Sequence, residues 1–239
     1  MKPILIIRLG EPLPEVHARR GDFEEWIESG MQRPASDFQV VDVPSGGSLP
    51  APMELAGVVL TGSAAMVSER AAWSEQTAGW LAGAVQADLP MLGICYGHQL
   101  IAHALGGRVG PNPNGREIGT ARVRLQAAGD ALLGALPEEI SVQTSHCESV
   151  LELPPEAALL GETDLDPHHA FRIGDRVWGV QFHPEFDADI MRGYIEARRP
   201  QLEEEALSAD ELVEACADSP HGARVLARFS ELVRSDSAG

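Results

Sequence analysis

The stretch Pro90-Met91-Leu92-Gly93-Ile94-Cys95-Tyr96-Gly97-His98-Gln99-Leu100 decides the fold of this chain. Its apolar beginning, Met91–Ile94, is typical of a buried strand, and the residues after Cys95 are typical of a helix. Glycines at 93 and 97 permit the tight turn that pushes one side chain into a cleft. Free N–H groups at the start of the helix favour the thiolate, the form of cysteine that attacks carbonyl carbon. The stretch predicts a reactive thiol on a strand-to-helix turn.

Short apolar runs alternate with helical patterns through the first half of the chain, which is typical of a parallel sheet covered by helices. The region Arg19–Gln32 predicts an amphipathic helix over the cleft. Later runs alternate with period two, and two of them flank Gly174-Asp175, which predicts a hairpin. From Asp187 onward the pattern is helical. We therefore expect an α/β domain over residues 1–186 and a helical C-terminal extension, residues 187–239, packed on it. The predicted parallel strands are Ile4–Ile7, Phe38–Val43, Val58–Thr61 and Met91–Ile94.

Composition excludes several classes of partner. The 239 residues carry a net charge of -18 and a single lysine, Lys2. Nucleic-acid binding rests on basic clusters that neutralise phosphates, so no nucleic-acid partner is expected. The apolar part of residues 1–7 is too short for a signal peptide or a membrane span, so we expect a cytoplasmic protein that binds no membrane. Three widely spaced cysteines without a C-x-x-C pair indicate neither a disulfide framework nor a zinc knuckle.

A second motif supplies the base that a thiolate needs. His183 follows the buried run Val177–Phe182, at a strand end where catalytic side chains of α/β folds emerge. Glu185, beyond the rigid Pro184, can turn back and orient the imidazole. The His-Pro-Glu sequence alone is a weak motif, but together with the cysteine turn it predicts acyl transfer.

These residues resemble the class I (triad) glutamine amidotransferases, in the branch similar to the glutaminase domain of GMP synthetase. The resemblance rests on Gly93–Gln99 and on His183-Pro184-Glu185, 88 positions after Cys95. It runs from Ile4 to about Glu185 and implies a flavodoxin-like three-layer α/β sandwich with a mostly parallel central sheet. Three further stretches match: Leu60-Thr61-Gly62-Ser63, Gly115-Arg116-Glu117-Ile118-Gly119 and Ser145-His146.

The resemblance implies a role for each matching position. Cys95 would attack the γ-carboxamide of glutamine, His183 would move the protons, and Glu185 would orient His183. Backbone N–H groups of Gly62 and Tyr96 would hold the tetrahedral oxyanion, although Gly62 would also suit a simple turn. No metal and no organic cofactor is needed for this half-reaction. The substrate-binding positions would be Gln99, Ser145, His146, Cys147 and Glu148. The alternative for Gln99 is a structural role, in which its side chain caps or packs the helix that follows Cys95.

The chain departs from the family pattern after Ser145-His146. The family has Gly or Gln and then Asp, whereas this chain has Cys147-Glu148. The extra methylene of Glu148 moves the carboxylate by about 1.5 Å, which alters the γ-glutamyl compounds that fit. Cys147 is either a small buried filler or a partner for Cys95 in an oxidative disulfide or persulfide.

No ATP-pyrophosphatase domain follows in this sequence, which leaves three functions open. The first is a glutaminase whose ammonia goes to a separate synthetase. The second is a γ-glutamyl hydrolase or peptidase, which shares the acyl-enzyme chemistry but releases a larger amine. The third is a regulatory or binding protein that retains the fold without turnover, which the intact Cys95, His183 and Glu185 disfavour.

Overall fold

The computed structural model of the protein describes residues 2–236, so Met1 and residues 237–239, which end the predicted extension, lie outside the described residues. Eleven strands are present in that range: β1 (Ile4–Arg8), β2 (Phe38–Asp42), β3 (Gly57–Leu60), β4 (Met91–Ile94), β5 (Arg108–Pro111), β6 (Glu117–Leu125), β7 (Glu139–His146), β8 (Glu148–Glu152), β9 (Ala157–Glu162), β10 (Ala170–Ile173) and β11 (Val177–Val180). Eight α-helices accompany them: α1 (Pro14–Arg20), α2 (Phe23–Met31), α3 (Ala72–Gln86), α4 (Tyr96–Ala104), α5 (Ala188–Ala197), α6 (Arg199–Glu204), α7 (Ala209–Ala215) and α8 (Pro220–Asp236).

Nine of these strands form one mixed sheet in the order β2-β1-β3-β4-β11-β10-β9-β6-β7. The first five are parallel to one another, and each pair from β11 onward to β7 is antiparallel. Strands β5 and β8 form a separate two-stranded sheet. The α/β architecture with a mostly parallel centre is therefore confirmed.

The alternation of side chains along each strand builds a core on both faces of the sheet. In β1, Ile4 and Ile6 belong to one hydrophobic cluster, and Leu5 and Ile7 belong to the other. Residues of α2, α5 and α8 complete the first cluster, and residues of α3 and α4 complete the second. The sheet is thus the middle of three layers, as expected for a flavodoxin-like sandwich.

The predicted C-terminal extension contributes to the first of these cores. Val225, Leu226 and Phe229 of α8 are fully buried, and the ring of Phe229 meets that of Trp178 on β11 edge to face. No separate core marks a boundary at residue 186 in the described part of the chain, and the division into two domains stays a prediction.

Two predicted elements differ in the structure. The helix expected over Arg19–Gln32 is divided at Gly21, which has a φ of +84°, and α2 begins after Asp22. The Asp22 side chain accepts from the first helical N–H, and Glu25 accepts from the Asp22 N–H at 3.0 Å. This capping box starts a new helix because it satisfies N–H groups that would otherwise lack partners. The hairpin at Gly174-Asp175 is present between β10 and β11.

None of the helices found between residues 2 and 236 combines the length and apolar character that crossing a lipid bilayer requires.

Candidate active site

Cys95 lies on the predicted turn between β4 and α4. Its backbone has φ +50° and ψ -101°, a strained conformation for a residue with a side chain. The N–H of Cys95 donates to the carbonyl of Val180 on β11 at 2.9 Å, which fixes the turn against the neighbouring strand. A Cβ on Gly93 would lie 2.5 Å from the carbonyl oxygen of Gly97, so glycine is required where the helix folds back over the strand. The turn holds the thiol at the edge of the sheet.

His183 reaches the same edge from the adjacent strand. Strands β4 and β11 are parallel, with Ile94 opposite Val180, so the segments that follow them emerge side by side. The Nδ1 atom of His183 lies 2.7 Å from Oε1 of Glu185, and both side chains are buried. Phe186 stacks on the imidazole with ring centres 4.0 Å apart, and Phe23 of α2 stacks at 6.3 Å. The ring is therefore fixed by packing and by one carboxylate.

The charges around His183 favour its protonated form. Burial by itself lowers the pKa of His183, but the charges of Glu185 and Cys95 raise the pKa to about 10. A cationic imidazole beside a cysteine can donate a proton to a leaving group at neutral pH.

Gly62 and Tyr96, the predicted oxyanion-hole residues, flank the thiol and the imidazole. A Cβ on Gly62 would lie 2.8 Å from Cε1 of His183, so this position admits no side chain without moving the ring. Among the hydrogen bonds of residues 2–236, none uses the backbone N–H of Gly62 or Tyr96. The phenol of Tyr96 points elsewhere and donates to Ser74 Oγ at 2.8 Å. These two N–H groups thus remain available to an anionic oxygen.

A cavity of about 70 Å³ opens beside Cys95. Gln99, Ser145, His146, Cys147 and Glu148, the five predicted substrate-binding residues, all line it. The structure therefore brings them together around the thiol, although they come from two segments that are distant along the chain.

These five residues differ in what they offer to a ligand. Gln99 donates through Nε2 to the carbonyl oxygen of Glu148 at 2.8 Å, and Glu148 Oε2 accepts from the Ser68 N–H at 3.2 Å. The carbonyl oxygen of Ser145 lies 3.9 Å from Cys95 Sγ. Gln99 and Glu148 are thereby held in place on the cavity wall.

His146 and Cys147 face in different directions. Both ring nitrogens of His146 are engaged inside the protein, Nδ1 with the carbonyl oxygen of Glu148 at 2.9 Å and Nε2 with Glu117 at 3.0 Å. The ring therefore supports the wall. Cys147 Sγ lies 3.8 Å from the sulfur of Met66, and burial raises the pKa of the Cys147 thiol.

Two arginines that were not among the predicted substrate-binding residues also line the cavity, although Arg116 lies in a stretch that matches the family. Arg116 is bound by both oxygens of Glu205, at 2.8 and 2.9 Å. Arg198 follows α5, and its Nε is buried without a hydrogen-bond partner among the described residues. Burial, and then the charge of Arg116, lowers the pKa of Arg198. For Arg198, the sequence signal was an arginine at the end of an amphipathic helix, a position that is equally typical of a solvated surface.

A second, smaller cavity lies on the His183 side of the thiol. It measures about 20 Å³ and is lined by Cys95, Ser145, His183, Tyr194 and Arg198 among others. A volume of that size holds roughly one water molecule.

Comparison with known proteins identifies the class. Residues 23–197 match the family model "Glutamine amidotransferase class-I", which is more than half of the chain. The chain belongs to this family of amidohydrolase enzymes.

The particular relatives are GMP synthases. A GMP synthase [glutamine-hydrolyzing] of Aeropyrum pernix is 36% identical over 186 residues, covering 76% of this chain and 32% of the relative. One of Porphyromonas gingivalis is 38% identical over 130 residues, covering 54% of this chain and 24% of the relative. The chain thus spans a third or less of the length of these curated relatives.

Solved structures share the fold at low identity. A glutamine amidotransferase of Thermotoga maritima has a TM-score of 0.76 at 24% identity, covering 98% of this chain and 99% of its own. A glutamine amidotransferase of Methylobacillus flagellatus has a TM-score of 0.75 at 24% identity, covering 98% of this chain and 93% of its own. These likenesses support the flavodoxin-like fold.

Proposed function

We propose that this chain hydrolyses the γ-carboxamide of glutamine through a γ-glutamyl thioester on Cys95 and releases ammonia. The proposal rests on the proximity of a cysteine, a histidine and a glutamate. A cysteine at φ +50° lines the same cavity as a histidine whose Nδ1 lies 2.7 Å from a buried glutamate. A strained, N–H-rich turn beside an oriented imidazole is the arrangement that nucleophilic acyl transfer requires.

Acylation begins with attack of the Cys95 thiolate on the carboxamide carbon. The carbonyl oxygen becomes an oxyanion, which accepts hydrogen bonds from the N–H groups of Gly62 and Tyr96. One such donor contributes about 10²- to 10³-fold in rate. As the C–N bond breaks, the imidazolium of His183 gives its proton to the departing nitrogen, and ammonia leaves behind a thioester.

In deacylation, His183 accepts a proton instead of donating one. Neutral His183 takes a proton from water, and the resulting hydroxide attacks the thioester carbon. The C–S bond breaks, glutamate leaves, and the thiolate and imidazolium are restored. Glu185 holds the Nδ1–H of His183 throughout, so Nε2 stays directed at the reacting atoms.

The charges on the cavity wall complement the zwitterionic end of glutamine. Glu148 supplies a carboxylate that suits an α-ammonium group, and Arg198 supplies a guanidinium that suits an α-carboxylate. The Nε of Arg198, which is buried and has no hydrogen-bond partner in the described part of the chain, gains a partner when such a carboxylate binds.

The space next to His183 favours ammonia as the leaving group. The cavity on that side, about 20 Å³, has room for roughly one small molecule such as water or ammonia. A γ-glutamyl hydrolase or peptidase would have to place a larger amine there. This small volume supports glutamine ahead of γ-glutamyl peptides as the proposed substrate.

We further propose that the ammonia is used by a separate acceptor enzyme. The two relatives named GMP synthase [glutamine-hydrolyzing] are about three and four times as long as the regions that match this chain. An acceptor synthetase would consume the ammonia that this chain releases.

The test combines turnover with trapping of the thiol. Purified chain is incubated with glutamine, γ-glutamyl amines, glutathione and folate polyglutamates, and ammonia and amines are measured by mass spectrometry. We expect ammonia from glutamine, and no turnover in Cys95→Ala or His183→Ala. A diazoketone analogue of glutamine should add one adduct at Cys95, which detects a competent site even where turnover needs the acceptor enzyme.

Cys216→Ala serves as the matched control, because Cys216 is buried outside both cavities. It should retain wild-type turnover and labelling. Full activity in Cys95→Ala would overturn the mechanism, and faster release of large amines than of ammonia would overturn the choice of glutamine.

A further inference from the structure

Four side chains with metal-ligand chemistry meet in the interior behind the cavity wall. Glu117 begins β6 and His146 ends β7, and the two residues are directly opposite each other in the sheet. Asp166 and His169 come from the loop that joins β9 to β10. All four side chains are buried, and those of Asp166 and His169 are completely inaccessible. We call these four residues the buried cluster.

The spacing of the donor atoms fits one ion between them. One potential ligand atom each from Glu117, His146 and His169 lies within 4.8 Å of the other two. Glu117 Oε2 is 3.0 Å from His146 Nε2 and 3.5 Å from His169 Nδ1. Ligands at 2.0–2.1 Å from a tetrahedral Zn²⁺ are about 3.4 Å apart. The observed distances bracket that value.

The hydrogen bonds of the buried cluster direct its ligand atoms toward one point. Because a carbonyl oxygen only accepts, His146 Nδ1 donates to the carbonyl of Glu148, and Nε2 on the other side of the ring faces the carboxylate of Glu117. The Nε2 atom lies 3.0 Å from Oε2 of Glu117. Neither nitrogen of His169 has a hydrogen-bond partner among the described residues, although its ring is fully buried. A divalent ion at this point would satisfy all three groups.

The charges of the buried cluster also favour a bound cation. Within residues 2–236, the ion pairs of Glu117 and Asp166 involve only His146 and His169, with no arginine or lysine. Two buried carboxylates are costly unless a nearby cation balances their charge. One divalent cation balances both charges.

The surroundings resemble the outer shell of a metal site. A histidine ligand usually donates its other N–H to a carbonyl or carboxylate, as His146 does to Glu148. The Asp166 carboxylate accepts from the Ser149 hydroxyl at 3.1 Å and from the His168 N–H at 3.0 Å. These bonds fix Asp166 next to both histidines.

We propose that Glu117, His146 and His169 bind one divalent first-row transition-metal ion, such as Zn²⁺, with Asp166 balancing its charge. The ion would tie β6, β7 and the 163–169 loop together. It would take no part in the amide hydrolysis, for which the motifs call for no metal. Because the Glu148 carbonyl accepts from both His146 and Gln99, the ion would also stiffen the wall of the substrate cavity.

The first test uses the untagged full chain. Metal content is measured by mass spectrometry after purification without chelator, and thermal unfolding is followed after chelator treatment and after return of Zn²⁺. We expect about one ion per chain. With Zn²⁺ at about 100 times its Kd, Tm should rise by roughly 5–10 °C over the metal-free chain.

His169→Gln removes one ligand, and His168→Gln is its matched control. His168 is the neighbouring histidine and hydrogen-bonds to the Val150 carbonyl, outside the buried cluster. His169→Gln should weaken Zn²⁺ binding by more than about 100-fold and abolish the Tm rise, since even loss of an outer-shell partner costs 10- to 100-fold. His168→Gln should bind as the wild type does.

Two results would overturn the proposal. One is a wild-type chain that contains no metal and whose Tm responds neither to chelator nor to Zn²⁺, which would mean that protonated histidines alone hold the carboxylates. The other is equal Zn²⁺ affinity in both glutamine variants. The wild-type measurement decides the matter even where His169→Gln fails to fold.

Discussion

Individual side chains around Cys95 set the charge of the candidate site. His183 stands between a cysteine and a glutamate, and both partners favour its cation. Arg198 and Glu148 add one charge of each sign on the cavity wall. Each of these charges is removable by a single substitution.

Glu185→Gln removes one of the two charges that raise the pKa of His183. The folded-state pKa of about 10 lies above the ordinary value of 6.5, so the protonated ring is favoured in the fold. Its stabilising effect is fully present below pH 6.5 and is lost as pH rises through about 10. In Glu185→Gln, we expect the basic limb of the kcat/KM profile to move to lower pH.

The pH profile between 5 and 10 measures this shift. Asp88→Asn, which removes an exposed carboxylate at the end of β4 opposite Cys95, is the control for net charge. An unchanged basic limb in Glu185→Gln would show that Glu185 does not set the protonation of His183.

Arg198→Gln tests the carboxylate-binding role of the cavity arginine. A hydrogen bond to a charged group contributes about 1.5–3 kcal/mol, so KM for glutamine should rise roughly 10- to 100-fold with little change in kcat. The neighbouring Arg199 pairs with Glu196 and Asp210 on the surface. Arg199→Gln should leave KM within about twofold, and an equal KM effect in the two variants would contradict the role.

At the scale of elements, close contact between α4 and β3 positions the thiol. A Cβ on Gly97 would lie 2.5 Å from Leu60 Cβ and 2.8 Å from the Leu60 carbonyl oxygen. The helix can therefore approach the sheet at its first turn only with glycine at this point. By contrast, Gly83 on α3 is exposed, and a Cβ placed on it would meet nothing within 4 Å.

Gly97→Ala and Gly83→Ala should act in opposite directions. The methyl group added in Gly97→Ala would push α4 away from Leu60 of β3, so this variant should lower the free energy of unfolding by about 1–3 kcal/mol. Gly83→Ala removes a flexible residue from a helix interior and should raise it by about 0.5–1 kcal/mol. Urea titration of both variants measures the difference, and a neutral Gly97→Ala would refute the tight helix–strand contact.

Sequence patterns gave the parallel elements more reliably than the antiparallel ones. The runs that became β1 and β4 are short and apolar, and the buried centre of a parallel sheet requires that pattern. Strand β9, Ala157–Glu162, had no such signal because it contains helix-favouring Ala and Leu and lacks regular alternation. It is a strand because β10 and β6 offer it hydrogen bonds.

At the scale of the molecule, the C-terminal helices belong to the core that supports the site. Phe229 of α8 packs against Trp178, whose strand β11 leads to His183. Glu205, beyond α6, holds Arg116 at the cavity. The C-terminal extension therefore contacts the strand that leads to His183 and an arginine that lines the cavity.

Phe229→Ala tests this dependence. Removal of a fully buried phenylalanine leaves a cavity and should cost about 3–5 kcal/mol in the free energy of unfolding. Arg224→Ala on the exposed face of the same helix should change it by less than about 0.5 kcal/mol. Thermal and urea unfolding measure both changes. A Phe229→Ala variant as stable as Arg224→Ala would show that α8 does not contribute to the stability of the core.

The sequence by itself determined the turn that carries Cys95, the run that precedes His183, and the class of fold. These features are encoded within about ten residues, because glycine spacing and apolar periodicity act through neighbouring backbone. The roles of Cys95, His183 and Glu185 stay predictions until the variants are measured.

Only the tertiary structure decided that Arg198 lines the cavity and that Glu117, His146, Asp166 and His169 meet. Apart from Asp166 and His169, which share one loop, these residues are distant along the chain, and each has a type that is common at surfaces or in loops. Their placement follows from the packing of α5 on the sheet and from the pairing of β6 with β7. Local spacing cannot encode such contacts, because their geometry exists only once the layers have assembled.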